Sequence, residues 1–331
     1  MFRGAWNTSS YSLQSRRELG GVTLPVGPGE SHVLLVPGGA STVHGYFPQL
    51  ATSLGTRATV IEVDPPGIGA SSDRRPLRLA GYALAGYALG LSQAVRRTGD
   101  DPAVVVGHSL GGLVALRLAV DDPGLVAGLL LLDPTPLTPP RTLKPMAAFF
   151  KVLAGLGPVG RRGWDARARR DLRGVSMSAE QQRALAVYTH PRFLAENARW
   201  AGHLAGDGAA LANDLAAGKL GAVPTVVVSA GERAPRSAIR RAHEQLVAWI
   251  PEAELQVWDG TGHRCTSSSR AGWRKRSSRS WNARDVRATP WRPGQDHLLA
   301  ALAVAVSLDP LRGRPERQYS GRHDRRMVCM V

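Results

Sequence analysis

Ser109, within the pentapeptide GHSLG (107–111), stands where a nucleophile could be carried. Four apolar residues, AVVV (103–106), precede the pentapeptide, and a segment with helical spacing follows it at once. A serine on a tight strand-to-helix turn needs small neighbours, because larger side chains would clash with the adjacent backbone. The following helix would also direct backbone N–H groups toward a developing negative charge. The alternative interpretation is that Ser109 only caps this helix.

Two further motifs accompany this pentapeptide. The loop PGGA (37–40) follows the apolar run HVLLV, and DPPGIGAS (64–71) follows the run ATVIEV. Together with VVGHSLGG, these motifs resemble the α/β-hydrolase superfamily, and within it the lid-bearing esterase, lipase and peroxidase-like members, over about residues 20–263. The resemblance implies a doubly wound, mostly parallel sheet, a helical lid inserted after the family's sixth strand, and no metal or organic cofactor. A dinucleotide-binding loop is excluded because the Gly-x-Gly-x-x-Gly spacing is not completed.

The resemblance also implies an oxyanion hole, which needs two N–H donors aimed at the developing charge. The backbone N–H of Leu110, directly after the serine, is one expected donor. The loop after the third strand supplies the other, and here Pro37 replaces the family's usual histidine. Gly39 is the expected second donor and Ala40 is the alternative; a main-chain donor does not depend on the missing histidine side chain. The same residues are also compatible with a simple turn at the end of a strand.

His263 is the candidate general base. It follows the apolar run AELQVW (253–258) and ends the sequence Asp-Gly-Thr-Gly-His, which resembles the loop that carries the base in the family. It also completes the family's chain order of serine, acid and histidine. By contrast, His190, His203 and His243 lie in helical segments, which indicates surface positions for them.

The acid that would orient the imidazole has two candidates. In the family it commonly follows the seventh strand, but there the loop GERA (231–234) has Ala234 where an acid is usual. Asp133 ends the run LLLLD at the family's other known position and is the first choice, with Glu232 second. Asp133 could alternatively only cap a turn, because Asp-Pro is common turn chemistry.

The elements that must position these residues alternate between strands and helices. Six short apolar runs bounded by turn signals predict parallel strands that are buried on both faces. These runs lie at 32–39, 58–72, 103–112, 126–136, 223–232 and 253–260. An amphipathic helix is predicted between the last two runs, over 236–251. This alternation predicts a doubly wound α/β fold.

The chain divides into five parts by composition and rhythm. An N-terminal extension (1–20) precedes the first part of the core (21–133), and a second part of the core (223–263) precedes a tail (264–331). Between the two core parts, residues 134–222 contain helical patterns but no convincing strand. Because the strand pattern resumes directly afterwards, we expect this insertion to form a helical lid rather than a separate domain.

The tail differs from the rest of the chain. It holds both cysteines, Cys265 and Cys329, and more than half of the net charge of +16. The body therefore offers no disulfide, no cysteine-based zinc site and no cysteine nucleophile. The basic, Arg- and Ser-rich tail predicts disorder, and its abrupt start leads us to hypothesise a reading-frame shift near codon 264. Interleaved Arg and Trp could contact nucleic acid, but we do not expect this because no recognisable motif accompanies them.

These residues predict a serine hydrolase that acts on a small or medium apolar ester, thioester or lactone through an acyl-enzyme. Carbon–carbon bond hydrolysis and cofactor-free perhydrolysis use the same triad and stay open. A serine at position 109 argues against the family branches that use an aspartate nucleophile, the haloalkane dehalogenases and epoxide hydrolases. The alternative is a catalytically impaired or non-catalytic binding protein of the same fold. No signal-like or membrane-length apolar run is present, so we expect a cytoplasmic protein whose partner is a small acyl compound.

Overall fold

The protein is described from a computed structural model. The structure describes residues 16–19, 22–25, 32–39, 42–43, 47, 58–65, 84–99, 101–138, 144–171, 193–231, 234, 236–258 and 263. The predicted disordered tail, 264–331, and the hypothesised frameshift therefore lie outside the described residues, as do the alternative donor Ala40 and the alternative acid Glu232.

A six-stranded parallel sheet forms the centre of the fold. In chain order its strands are β3 (His32–Val36), β4 (Thr59–Glu62), β5 (Ala103–His108), β6 (Val126–Leu132), β7 (Thr225–Ala230) and β8 (Ala253–Trp258). Their spatial order is β4-β3-β5-β6-β7-β8, and every pairing between neighbours is parallel. The predicted α/β fold with a mostly parallel sheet is confirmed.

Two further strands, β1 (Arg16–Leu19) and β2 (Val22–Pro25), form a separate antiparallel pair. This pair crosses the boundary that the sequence suggested between the N-terminal extension and the core.

The central strands are buried on both faces. Every residue of β5 and of β7 is buried, as the near-continuous Val runs indicate for a parallel sheet covered on both sides. Successive residues belong to different hydrophobic clusters: Val105 packs in the larger one, whereas Val104 and Val106 pack in the other. This alternation follows from the strand period of two, and it fixes the register of the strand that leads to the pentapeptide.

The structure describes six α-helices and a short 3-10 helix, Pro123–Leu125. The α-helices are α1 (Leu84–Thr98), α2 (Leu110–Asp121), α3 (Lys144–Gly155), α4 (Gly157–Asp171), α5 (Phe193–Ala216) and α6 (Ala238–Trp249). Ser237 caps α6, because its Oγ accepts a hydrogen bond from the Arg240 N–H at 3.2 Å, and α6 ends before Pro251, where the sequence predicted its stop. None of the described helices combines the length and the apolarity that a membrane crossing requires.

The insertion between β6 and β7 contains α3, α4 and α5. Phe150, Trp164 and Leu194 from these three helices form a small hydrophobic cluster separate from the two sheet clusters. The later turns of α5 instead belong to the main core, through Leu211 and Leu215. The insertion thus has an attached part, made by most of α5, and an outer part, made by α3 and α4. Its action as a lid stays a prediction.

Polar contacts reinforce the attachment of α5 to the body. Asp207 Oδ2 accepts the N–H of Leu84 at 2.9 Å and places a negative charge at the N-terminus of α1, where the helix dipole favours it. Arg117 of α2 donates to Asp214 Oδ2 at 2.6 Å. Hydrogen bonds from Lys219 and Arg117 lower the pKa of the Asp214 carboxyl from its ordinary value of 3.8. The body therefore holds α5 at both α1 and α2.

Candidate active site

Ser109 lies on the turn between β5 and α2. Its backbone has φ 52° and ψ −119°, a conformation that non-glycine residues rarely adopt and that marks a strained strand-to-helix turn. The Ser109 N–H donates to the Leu132 carbonyl at 3.1 Å, so the turn is held against the end of β6. The residue is 7% exposed. Such a turn presents a serine Oγ at the carboxyl edge of the sheet.

Three glycines allow the backbone to pack this closely. A Cβ at Gly107 would lie 2.5 Å from the Gly111 carbonyl oxygen, and one at Gly111 would lie 2.3 Å from the Val36 carbonyl oxygen. A Cβ at Gly112 would lie 2.7 Å from Pro134 Cβ. Real Cβ atoms do not approach other atoms so closely, so the pentapeptide requires glycine at both ends for the steric reason inferred from its sequence.

The structure brings Ser109, His263 and Asp133 together in a hydrogen-bonded series. His263 Nε2 lies 3.1 Å from Ser109 Oγ, and His263 Nδ1 lies 2.5 Å from Asp133 Oδ2. A carboxylate only accepts hydrogen bonds, so Nδ1 carries the proton of the neutral imidazole. Nε2 is then an acceptor for the Ser109 hydroxyl proton, which is the arrangement that general-base activation of a serine needs.

Asp133 is buried and hydrogen-bonded at the end of β6. The residue is 1% exposed, its N–H donates to the Val228 carbonyl at 2.7 Å, and its Oδ1 accepts the Ala230 N–H at 3.0 Å. Its φ of 44° is again unusual for a residue other than glycine. These contacts leave Oδ2 directed at His263. Of the two acid candidates, the described residues include only Asp133, whereas Ala234, at the family's commoner position, is exposed.

The two predicted oxyanion donors lie in neighbouring segments. Leu110 begins α2, so its N–H is among those at the helix N-terminus. Gly39 follows β3 and has φ +57°, while the tight contact of Gly111 with the carbonyls of Val36 and Pro37 brings this loop against the start of α2. The roles of Leu110 and Gly39 as donors stay predictions.

Two side chains beside this series escaped the sequence analysis. Thr135 Oγ1 lies 3.3 Å from Ser109 Oγ, and the Thr135 N–H donates to the Ser109 carbonyl at 3.0 Å. Thr135 could have been predicted to lie near the site, because it stands two residues after Asp133 in the same loop. A Cβ built at Gly39 would lie 3.1 Å from Asn197 Oδ1, so α5 reaches the loop after β3. Helical periodicity gives no sign of that second contact.

The surface position inferred for His243 is wrong. This residue of α6 is 1% exposed; its Nε2–H donates to the Pro134 carbonyl at 2.8 Å, and its Nδ1 lies 2.9 Å from Ser229 Oγ. On the same helix face, Arg240 donates to the Ala230 carbonyl at 3.0 Å. His243 shares the apolar stripe that also contains Leu246, so its helical spacing could have predicted burial. These contacts connect α6 to Pro134, which follows Asp133, and to the end of β7, where the Ala230 N–H donates to Asp133.

No group of three or more His, Cys, Asp or Glu residues suited to hold a metal ion occurs within the described residues.

Comparison with known families agrees with the fold. The model of a family described as alpha/beta hydrolases matches residues 33–273, a range that contains Ser109, Asp133 and His263. The chain belongs to the α/β-hydrolase family. No curated protein matches its sequence significantly.

Solved structures similar to this α/β-hydrolase share its fold at low identity. A hydrolase from Oleispira antarctica is 20% identical with a TM-score of 0.55, covering 74% of this chain and 88% of that one. A putative epoxide hydrolase from Pseudomonas aeruginosa is 22% identical with a TM-score of 0.58, covering 87% and 92%. The epoxide hydrolase CorEH is 20% identical with a TM-score of 0.58, covering 76% and 92%. At these identities the likeness extends to the fold alone.

Proposed function

We propose that this α/β-hydrolase is a serine hydrolase that transfers an acyl group from an ester, thioester or lactone to water. The observation that carries the proposal is the series Ser109 Oγ, His263 Nε2 and Nδ1, and Asp133 Oδ2, with contacts of 3.1 and 2.5 Å. A hydrolase activity follows from the family; the serine mechanism and the acyl substrate are the proposed part.

The proposed reaction has two halves. Ser109 Oγ attacks the acyl carbonyl while its proton passes to His263 Nε2, and the oxyanion accepts hydrogen bonds from the N–H groups of Leu110 and Gly39. The tetrahedral intermediate then expels the alcohol or thiol, which takes the proton from Nε2, and leaves Ser109 acylated. In the second half, His263 removes a proton from water as the water oxygen attacks the acyl carbon. The bond from that carbon to Ser109 Oγ then breaks, Nε2 returns the proton to Oγ, and the carboxylic acid leaves. The Asp133 carboxylate stabilises the imidazolium formed in each half.

The serine at position 109 argues against epoxide hydrolysis. Some structural neighbours are named epoxide hydrolases, but at 20–22% identity they share only the fold with this chain. The family branches with that chemistry use an aspartate nucleophile, whereas this turn carries Ser109. A serine alkoxide suits attack on a carbonyl, because the resulting acyl-enzyme is readily hydrolysed.

We infer that the insertion acts as a lid over a mainly apolar acyl group. Two observations support this: Asn197 of α5 lies against Gly39, and the outer helices pack around Phe150 and Trp164. A substrate acyl chain at Ser109 would then lie between the sheet edge and these helices, which favours small or medium apolar substrates.

A substrate series tests the proposal. The wild-type chain should hydrolyse p-nitrophenyl esters of two to eight carbons, and parallel assays with a thioester and a lactone would rank the three bond types. Ser109→Ala and His263→Gln should each lower kcat by about 10⁴-fold or more, because serine and histidine act as one unit. Hydrolysis by Ser109→Ala at the wild-type rate would refute a serine mechanism, and hydrolysis by neither chain above the uncatalysed rate would favour the non-catalytic alternative.

A further inference from the structure

The side chain of His108 contacts the backbone of the proposed base. His108 Nε2 lies 2.6 Å from the carbonyl oxygen of His263, across 155 positions of sequence. The imidazole of His108 is fully buried, and its ring centroid lies 5.0 Å from that of His263. This partly buried bond is made to the backbone carbonyl of His263, whereas the contacts with Ser109 and Asp133 are made by its ring.

The direction of this hydrogen bond is fixed by chemistry. A carbonyl oxygen only accepts, so His108 Nε2 must carry a proton and donate it. A doubly protonated His108 would place a positive charge beside the imidazolium that forms on His263 during acyl transfer, which Coulomb repulsion disfavours. The compatible form is the neutral tautomer with the proton on Nε2.

We propose that His108 is a positioning residue, which holds the backbone of His263 in register with the nucleophile; this role rests on the proposed serine-hydrolase function. His108 is peptide-bonded to Ser109, so the bond to the His263 carbonyl ties the base to the strand end that carries the nucleophile. The contacts to Asp133 and Ser109 orient the imidazole ring, whereas His108 fixes the backbone from which the ring extends.

The hydrogen bond from His108 is expected to keep His263 Nε2 at the right distance from Ser109 Oγ. Proton transfer from Ser109 Oγ to His263 Nε2 requires hydrogen-bond distance, and a misplacement of about 1 Å costs about 10²-fold in rate. A side-chain donor from the pentapeptide itself holds the His263 backbone at a set distance from Ser109. The histidine of GHSLG therefore serves a purpose beyond filling space between the two glycines.

Two nearly isosteric variants test the role. His108→Gln keeps an amide N–H close to the position of Nε2, whereas His108→Met fills similar volume without a donor. We expect His108→Met to lower kcat by about 10- to 100-fold with KM changed less than about threefold, and His108→Gln to stay within about threefold of wild type. The matched control is His203→Met on α5, a partly exposed histidine outside the hydrogen-bonded series of Ser109, His263 and Asp133, which should leave both constants unchanged.

A spectroscopic readout separates positioning from folding and from activity. The His263 Nδ1 proton, shared with Asp133, should give a far-downfield proton NMR signal that disappears in Asp133→Asn. We expect this signal to persist in His108→Gln and to broaden or vanish in His108→Met. In ¹⁵N-histidine-labelled wild type, His108, assigned by the signal lost in His108→Gln, should be the tautomer protonated at Nε2.

The outcomes are distinguishable. Wild-type kcat together with an unchanged downfield signal in His108→Met would overturn the positioning role while leaving the serine mechanism intact. An inactive wild type would defeat the proposed function, but the NMR comparison would still decide whether His108 holds His263. If His108→Met does not fold, the ¹⁵N measurement on the wild-type chain still tests the role. A His108 ring without a proton on Nε2 would overturn it, because that nitrogen could not donate to the His263 carbonyl.

Discussion

At the residue scale, the site depends on which acid orients His263. The sequence left Asp133 and Glu232 open because both follow strands whose carboxyl ends meet at one edge of the sheet. Asp133 contacts His263 Nδ1 at 2.5 Å and is anchored through Ala230 and Val228. Ser109 and His263 could be proposed as nucleophile and base because glycine spacing and chain order can be recognised in the sequence, whereas the choice of acid depends on three-dimensional proximity.

Replacing the acid tests this assignment. Asp133→Asn should lower kcat by about 10⁴-fold, because the amide can stabilise the wrong imidazole tautomer and cannot offset the imidazolium charge. Glu232→Gln is the matched control and should change kcat less than twofold. Steady-state hydrolysis of a p-nitrophenyl ester measures both. A large loss of kcat in Glu232→Gln with little change in Asp133→Asn would indicate Glu232 as the acid.

The loop after β3 offers a second test at this scale. Gly39→Ala places a Cβ 3.1 Å from Asn197 Oδ1 at a residue with φ +57°, so the loop must shift. We expect a loss of about 1 kcal/mol of stability and a drop in kcat of about 10²-fold, as for the loss of one oxyanion donor. Thermal unfolding and ester hydrolysis measure the two effects.

The control for that substitution is Gly124→Ala. A Cβ at Gly124 meets nothing within 4 Å, and its φ is not in the left-handed region, so this variant should unfold and react as wild type does. A Gly39→Ala enzyme with full activity would mean that the donor lies elsewhere in the loop.

At the element scale, α5 connects the insertion to the body. Its contacts with α1 and α2, through Asp207 and Asp214, hold the later turns, while its first turns pack with α3 and α4. From the sequence we predicted helices here and placed the whole of 134–222 in one insertion. Helical periodicity does not show that α5 packs on the main core while α3 and α4 form a separate cluster. His243 shows the same limit, because a polar residue on an apolar stripe was taken for a surface residue.

The pH dependence of stability tests the α5 attachment. Lys219 and Arg117 hold the pKa of Asp214 below 3.8, so the carboxylate contributes stability that is present above that pH. This contribution is lost as pH falls through the lower, folded-state pKa, when Asp214 takes up its proton. The wild-type chain should therefore be more stable than Asp214→Asn above about pH 5, and the difference should shrink below about pH 4. Urea unfolding of both chains across this pH range measures the difference in their free energies of unfolding. A difference that does not change with pH would contradict a stabilising role for the Asp214 carboxylate.

At the scale of the whole molecule, the central sheet could be predicted from the sequence. Apolar runs bounded by turn signals predicted the six strands of the sheet; the runs are most continuous in the central strands β5 and β7, which are buried throughout. The family match covers 33–273 and so reaches only ten residues past His263. The abrupt change in composition at that point remains the basis of the frameshift hypothesis.

The coding DNA tests that hypothesis. If a reading-frame shift occurred near codon 264, one of the two alternative frames should encode an amphipathic helix of the kind that closes the sheet in the resembled family. Resequencing the region and translating both alternative frames shows whether either of them encodes such a helix. If neither frame encodes such a helix, the tail belongs to the protein.

The most direct test of the serine mechanism is a covalent label at the nucleophile. Wild-type protein incubated with a fluorophosphonate should gain one adduct per chain, and peptide mass spectrometry should map it to Ser109. His263→Gln should react far more slowly, and Ser109→Ala should not react. An unlabelled wild-type chain, or an adduct on another residue, would contradict the account.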